Sequence, residues 1–382
     1  MKQFNLVISM IFILTFLGIY TCAYPLNKPQ TDLEKDGFKG NVRSVKTNNY
    51  YVTTKFGEIK KGNLKNFEIR VYDKKGSLIE YQSDDGGKIR KVILKYDKDG
   101  NLIDKSNFNS DGTIYDKTIY KYDDKGNLIE ESRYDFDGNL KKKAIFKYGN
   151  KEYKPYFNRS NSWTKSFFDF DVDKKGNLTD FYSYDSNGKL NEKGVCKHDN
   201  EGNLLELLGY DDENTLSLNI IYKYDIQKNF VEYYVKIEEG EVSGKKETFQ
   251  YDKTGNLIED IRYNSDNGMN SKYTYQYDNK GNLIEEFASI MNKRTTYKYN
   301  VKTQLIEQCY YNNNKLKSKI IFEYDVKGNL IEINEYDSDK QLVGKQTFSC
   351  DERGNWIKSA ISGYKGVIET IQDVIERKIE YY

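Results

Sequence analysis

A nine-residue unit, Tyr-Asp-x-x-Gly-Asn-Leu-Ile-Glu, recurs along the chain after residue 66 and restricts the folds open to it. The clearest copies begin at Tyr72, Tyr96, Tyr122, Tyr251, Tyr277 and Tyr324. Degenerate copies begin at Val172, His198, Tyr224, Tyr299 and Cys350. Most successive starts are 24 to 27 residues apart, with a weaker Tyr-Asp half-repeat between many of them. The spacing of one strand and one turn predicts an all-β repeat protein.

Each position of the unit has a physical role in a turn between two strands. Aspartate accepts backbone N–H groups and starts a type I turn, and glycine supplies the positive φ that closes it. The predicted turn glycines are Gly76, Gly100, Gly126, Gly176, Gly202, Gly255, Gly281, Gly328 and Gly354. Ahead of the turns, apolar and polar residues alternate: Ile220, Tyr222 and Tyr224 share one face and Lys223 lies opposite. This period of two indicates strands with one buried face.

The predicted fold is therefore a long antiparallel meander of hairpins that forms a twisted, curled sheet or a partial shell. We divide the chain into a signal peptide (1–23), an N-terminal linker with the first strands (24–66) and the repeat array (67–382). Residues 151–164 interrupt the repeat and are expected to form an irregular insertion. Between Gly366 and Glu380, β-branched residues favour a strand over a helix.

The N-terminus has the pattern of an export signal, with Lys2 followed by an uncharged apolar run from Leu6 to Tyr20. Two cleavage patterns remain open. Leu17 to Cys22 resembles a lipoprotein signal, in which Cys22 would become the acylated first residue. Cleavage after Ala23 would instead release a soluble protein. We expect an exported protein, either an outer-membrane lipoprotein or a secreted one, with the membrane contacted only through such an anchor.

Composition excludes several classes of protein. Lys and Arg number 60 and Asp and Glu 59, so no excess of charge predicts nucleic acid or an anionic membrane surface as a partner. The four cysteines have no Cys-x-x-Cys spacing, which argues against zinc, and are too sparse for a disulfide framework.

No motif predicts catalysis or a cofactor. The single histidine, His198, stands in the tyrosine position of a repeat, where it replaces one packed ring by another. A weak calcium-loop pattern is formed by Asp169, Asp171, Asp173 and Asp180, but Lys174 occupies the position where glycine is required. We expect no metal, no cofactor and no enzymatic activity.

Aromatic residues that point outward are the candidate ligand-binding groups, because rings on a sheet can stack against sugar rings. The candidates are Tyr50, Tyr51, Trp163, Tyr233, Tyr234, Tyr310 and Tyr311. The alternative is that such rings form the core of a sheet.

The repeats, from about residue 66 to 358, resemble the YD repeats of Rhs proteins and teneurin-like shells. The segment from Asp32 to Val45 and the endings Asp351 to Trp356 and Glu376 to Tyr382 resemble those of small secreted YD-repeat proteins of Bacteroidota-like bacteria. The resemblance implies a wound β-sheet, which in large relatives surrounds a toxin; some members are described as sugar-binding. The chain lacks the Asp-rich self-cleaving segment of those toxins, and repeat-like sequence runs nearly to Tyr382.

Three functions follow as hypotheses. The first is a non-catalytic binding or scaffold protein of the cell envelope, with glycans or another surface protein as partner. The second is a component or accessory of an Rhs-like toxin-delivery shell. The third is a carboxylate-based hydrolase, which would need two carboxylates about 5 to 10 Å apart in a cleft.

Overall fold

The computed structural model describes residues 31–55, 58–84, 87–149, 178–225, 227, 229–236, 245–264, 266, 268–365 and 368–382. The signal segment, Cys22, the insertion at 151–164 with Trp163, Gly176 and the calcium candidates Asp169, Asp171 and Asp173 lie outside these residues.

The described residues form one short helix, α1, and 24 strands. In chain order they are α1 (Asp32–Lys35), β1 (Val42–Lys55), β2 (Glu58–Tyr72), β3 (Leu78–Asp84), β4 (Ile89–Tyr96), β5 (Leu102–Phe108), β6 (Ile114–Tyr122), β7 (Leu128–Asp135), β8 (Leu140–Tyr148), β9 (Leu178–Tyr184), β10 (Leu190–His198), β11 (Leu204–Tyr210), β12 (Leu216–Tyr224), β13 (Phe230–Lys236), β14 (Lys245–Tyr251), β15 (Leu257–Tyr263), β16 (Met269–Tyr277), β17 (Leu283–Ala288), β18 (Lys293–Tyr299), β19 (Leu305–Asn312), β20 (Lys315–Tyr324), β21 (Leu330–Asp337), β22 (Leu342–Cys350), β23 (Trp356–Lys365) and β24 (Ile368–Tyr381). The all-β prediction is confirmed, and the segment before the C-terminus is a strand, as expected.

The chain divides into two compact units. Unit 2 comprises Val92–Lys272, in which β5 to β15 pair in chain order, each antiparallel to the next. This order is the meander that the repeat spacing predicts. A register shift recurs where a strand enters or leaves a turn, as between Lys121 and Tyr122, and it accommodates the bulge that the glycine turn requires.

Unit 1 comprises Met1–Lys91 and Tyr273–Tyr382. Here β16 to β24 pair in order, β24 pairs with β1, and β1 to β3 continue the antiparallel sheet. The prediction of an open sheet or partial shell is wrong for the first and last strands, because β1 and β24 are paired with each other and neither is a free edge there. Pairing satisfies backbone N–H and C=O groups that two free edges would leave exposed.

The two faces of the sheet differ in burial, and strand register assigns each side chain to one of them. The buried face of unit 2 includes Ala144, Phe146, Phe181, Leu218 and Ile220, and that of unit 1 includes Ile320, Phe322, Ile333, Phe348 and Ile361. The opposite face, here the exposed face, carries most of the lysines. The predicted alternation is confirmed: Ile220 and Tyr222 are buried and Lys223 between them is exposed.

The N-terminal segment covers the end of the sheet where β24 finishes and β1 begins. Its helix α1 starts at a capping box, in which Thr31 and Glu34 exchange side-chain and backbone hydrogen bonds. Leu33 and Phe38 pack with Val42, Val45 and Tyr72 in a small core. The helix was not predicted, although Thr-x-x-Glu is a recognisable start signal.

Candidate functional site: an exposed tyrosine and lysine surface

Most turns of the repeat are built by one aspartate each, and Asn300 takes this role in the repeat that begins at Tyr299. In the turn after β6, the Asp123 carboxylate accepts the N–H groups of Lys125 and Asn127 at 3.0 and 2.8 Å. Its second oxygen accepts the Asn127 side-chain amide at 2.9 Å. Gly126 has a φ of +80° and donates its N–H to the Asp123 carbonyl at 2.9 Å. The aspartates therefore serve the turns and are poor candidates for ligand binding.

Positive φ recurs at the described turn glycines. Gly76, Gly100, Gly202, Gly255, Gly281, Gly328 and Gly354 all share this conformation with Gly126. Where the sequence lacks glycine, another residue adopts it: Thr303 takes φ +63° in the degenerate repeat that begins at Tyr299. Turn geometry is thus kept even where the motif weakens.

Tyrosines of the repeat motif itself face the buried side and tie neighbouring hairpins together. The Tyr122 hydroxyl donates to the Leu102 carbonyl at 2.9 Å, and Tyr148 donates to Leu128 at 2.8 Å. The same bond joins Tyr224 to Leu204, Tyr299 to Leu283, and Tyr324 to Leu305. These rings are structural, because their hydroxyls are used within the sheet.

Tyrosines of the half-repeat lie on the exposed face, each directly opposite a lysine or arginine of the adjacent strand. In unit 2 the pairs are Lys117–Tyr134, Lys143–Tyr184, Lys193–Tyr210 and Lys246–Tyr263, and in unit 1 they are Arg294–Tyr311 and Lys319–Tyr336. We call this set the tyrosine–cation stripe. The cation lies 5.6 Å from the ring centre of Tyr210, 5.6 Å from that of Tyr263 and 4.5 Å from that of Tyr311. All six rings are half-buried, so part of each remains accessible.

Ion pairs beside the stripe hold its lysines in place. Glu130 bridges Lys121 and Lys143 at 3.0 Å each, and Glu232 bridges Lys223 and Lys246 at 2.6 and 2.9 Å. Partial burial raises the pKa of Glu130, but hydrogen bonds from Lys143 and Lys121 outweigh it and hold that pKa below its ordinary value. Since each such acid contacts two lysines, the triads are locally cationic in a chain that is nearly neutral overall.

The predicted ligand-binding aromatics differ in their exposure to solvent and in the face of the sheet on which they lie. Tyr51 is 53% exposed, whereas Tyr233 is 5% exposed on the buried face and cannot present its ring to a ligand. Tyr234 is half-buried on the exposed face, because consecutive strand residues point to opposite sides. The doublet at Tyr310 and Tyr311 divides in the same way, with Tyr311 in the stripe.

Tyr50 is half-buried beside the Lys61 ammonium group, which lies 4.3 Å from its ring centre and 2.7 Å from Glu376. This arrangement places Tyr50 with a cation, as in the stripe.

Two strongly exposed aromatics were not predicted. Tyr115, at the start of β6, is 63% exposed, and Phe136, in the turn after β7, is 70% exposed. Their neighbours Asp116 and Asp135 are register partners, so both aromatics lie at the same end of these two strands. Phe136 stands at a turn position that is polar in most repeats, and this departure from the motif was the available signal.

The histidine, the described cysteines and the described member of the calcium pattern all lie in strands of the sheet. Burial lowers the pKa of His198, which disfavours its charged form. Burial raises the pKa of Cys196 to about 12 and raises the pKa values of Cys309 and Cys350, so their thiols are poor nucleophiles. Asp180, the described member of the calcium pattern, lies in β9, and no group of three or more His, Cys, Asp or Glu able to hold a metal occurs among the described residues.

One pair of carboxylates on the buried face of unit 2 is held by an arginine. Glu247 and Asp260 both contact Arg262, at 2.6 and 3.5 Å. In the part of the chain that the structure describes, no helix has the length and apolar content needed to cross a membrane.

Comparison with known proteins yields structural similarity only. No protein-family model matches the sequence, and a search of curated proteins finds no match. The Photorhabdus luminescens Tc holotoxin pore aligns over 82% of this chain and 19% of its own, with 13% identity and a TM-score of 0.35. A porin-like protein from Bacteroides uniformis aligns over 90% of this chain and 98% of its own, with 11% identity and a TM-score of 0.24. This chain thus spans about a fifth of the toxin chain, and neither similarity identifies an activity.

Proposed function

We propose that the chain is an exported, non-catalytic binding or scaffold protein of the cell envelope whose tyrosine–cation stripe binds carbohydrate. The observation that carries the proposal is the stripe itself. Its rings are half accessible, and neighbouring acids position most of its cations: Lys117, Lys143, Lys246, Arg294 and Lys319.

Carbohydrate suits this surface for two reasons. Sugar rings present C–H faces that stack on aromatic rings, and their hydroxyls accept hydrogen bonds from ammonium and guanidinium groups. Consecutive pairs at Tyr134, Tyr184 and Tyr210 recur every two strands, roughly 9.5 Å apart across the sheet. A polymeric glycan that follows the repeats can contact several pairs at once, which raises the overall affinity without strong single contacts.

The test is a glycan-array and polysaccharide pull-down screen with the chain from residue 24. Replacement of Tyr134, Tyr184 and Tyr210 by Ala together is expected to abolish saturable binding, because the stacking surface is removed. The matched control replaces the same residues by Phe, which keeps the rings and should retain binding. Full binding by the Ala variant, or silence of the folded protein across the screen, would contradict the proposal and favour a protein-binding scaffold.

A further inference from the structure

Tyr51, Lys65 and Asp373 come together on the buried face of unit 1, where β1 runs between β2 and β24. Tyr51 is the register partner of Asp373 in β1, and the buried Ile361 is its partner in β23. The Lys65 ammonium group lies 3.0 Å from Asp373 Oδ1 and 5.6 Å from the ring centre of Tyr51. One lysine therefore joins an acid and an aromatic ring into a single cluster, which we call the buried-face triad.

The sheet is irregular on both sides of this cluster. Lys65 is an extra residue of β2, at a point where the pairing of β2 with β1 shifts by one position. Gln372, directly before Asp373, is an extra residue of β24, where the pairing with β23 shifts. Such bulges disrupt the ladder of backbone hydrogen bonds and re-aim side chains, and they are over-represented next to active sites. Two bulges thus flank the lysine–acid pair of the buried-face triad.

The Asp373 carboxylate is largely enclosed, and only one of its oxygens is used. Its side chain is 9% exposed, and its charge is balanced by Lys65. Oδ1 accepts the hydrogen bond from Lys65, whereas Oδ2 has no hydrogen-bond partner among the described residues. Hydrogen bonds are stronger in such surroundings, because the local dielectric is low. Oδ2 is therefore a favourable acceptor for a hydroxyl group of a ligand.

The ring of Tyr51 is open to solvent, with 53% of the residue exposed. A triad of the same residue types on the exposed face, formed by Tyr50, Lys61 and Glu376, provides a comparison. There the ammonium group lies closer to the ring centre, at 4.3 Å, the tyrosine is half-buried and the acid side chain is 34% exposed. Of these two triads, the buried-face triad alone combines an open ring with an enclosed acid.

We propose that the buried-face triad binds a single neutral sugar unit. The lysine and the acid already balance each other, so the site favours a ligand without charge. The C–H face of a pyranose ring packs on Tyr51, and two neighbouring hydroxyls engage the ion pair. One hydroxyl donates to Asp373 Oδ2, and the other accepts from the Lys65 ammonium group. The site lies on the face opposite to the tyrosine–cation stripe and does not depend on it.

The test measures the binding of methyl glycosides of glucose, galactose and mannose to the whole chain from residue 24, by saturation-transfer NMR and titration. Glycerol, which has neighbouring hydroxyls without a ring face, and cyclohexanol, which has a ring without neighbouring hydroxyls, are the comparison probes. At least one methyl glycoside is expected to bind saturably and more tightly than either probe. Absence of binding by all three glycosides, or equal binding of glycerol, would overturn the proposal.

Variants of the triad locate the site. Tyr51→Ala should weaken glycoside binding roughly tenfold or more, because the stacking surface is removed. Tyr51→Phe keeps the ring and should bind normally. Asp373→Asn should also weaken binding, since it replaces a charged hydrogen-bond acceptor by a neutral one. Tyr50→Ala, in the triad on the exposed face, is the matched control and should bind as the unmodified chain does.

A stripe variant separates this site from the proposed function. Replacement of Tyr134, Tyr184 and Tyr210 by Ala should leave the binding of the methyl glycosides unchanged. Thermal midpoints show that each variant is folded, which is expected for Tyr51→Ala because the ring is exposed. Full binding by Tyr51→Ala would overturn the site. If the stripe variant then lost binding, the sugar would bind at the stripe and the proposed function would stand without this inference.

Discussion

Asp123 and Gly126 show how the repeat acts at the scale of single residues. The aspartate accepts three hydrogen bonds within its turn, and the glycine occupies a backbone conformation that a side chain makes unfavourable. Both roles can be read from the motif, because each depends on a few neighbouring residues.

Gly126→Val is expected to lower the free energy of unfolding by roughly 1 to 3 kcal/mol, because a β-branched residue is strained at positive φ. The measurement is the urea midpoint, with Lys125→Val, a substitution of the adjacent turn residue, as the control. An unchanged midpoint for Gly126→Val would show that the turn does not require positive φ.

Low pH should reduce the stability that the turn aspartates contribute to the folded protein. Hydrogen bonds from the Thr254 hydroxyl and from Asn256 lower the pKa of Asp252 from 3.8 to about 2. A carboxylate whose pKa is depressed by folding stabilises the protein above its unfolded pKa, and this contribution is lost as the pH falls through the folded value. The midpoint difference between the unmodified chain and Asp252→Asn should therefore be constant above about pH 4 and shrink towards pH 2. A difference that does not change with pH would contradict this role for the carboxylate.

At the scale of strands and hairpins, two classes of tyrosine lie on opposite faces of the sheet. Tyrosines of the full repeat face the buried side and bond to the previous hairpin, whereas those of the half-repeat face outward beside a cation. Alternation along each strand predicts that two faces exist. It does not predict which tyrosines are accessible, since that depends on which strands are neighbours and on their register.

Tyr224→Phe should cost about 0.5 to 1.5 kcal/mol, because it removes the hydrogen bond to the Leu204 carbonyl and leaves a buried acceptor. Tyr210→Phe, on the exposed face, is the control and should change stability little. Chemical denaturation of both variants measures the difference, and equal effects would show that the buried hydroxyl does not join the hairpins.

At the scale of the whole molecule, local turn chemistry and periodicity were enough to predict the antiparallel order of strands. They could not predict the pairing of β1 with β24, because contacts between residues more than 300 positions apart leave no local pattern. For the same reason, no local pattern predicts that Arg377 lies beside Phe38. Tyr115 was missed because the sequence alone does not distinguish an exposed aromatic residue in a strand from a buried one, whereas Phe136 could have been found from its position in a turn.

The pairing of β1 with β24 joins the two ends of the chain, and a disulfide cross-link between these strands tests it. Lys46 and Lys378 are register partners on the exposed face. Cysteines at these two positions, in a chain from residue 24 with Cys196, Cys309 and Cys350 replaced by Ala, should oxidise to a species of altered mobility on a non-reducing gel. The control pairs Lys46→Cys with Glu369→Cys, roughly 30 Å further along β24. Efficient cross-linking between positions 46 and 378, but not in the control, is predicted. Equal cross-linking in both, or none in either, would contradict the pairing of β1 with β24.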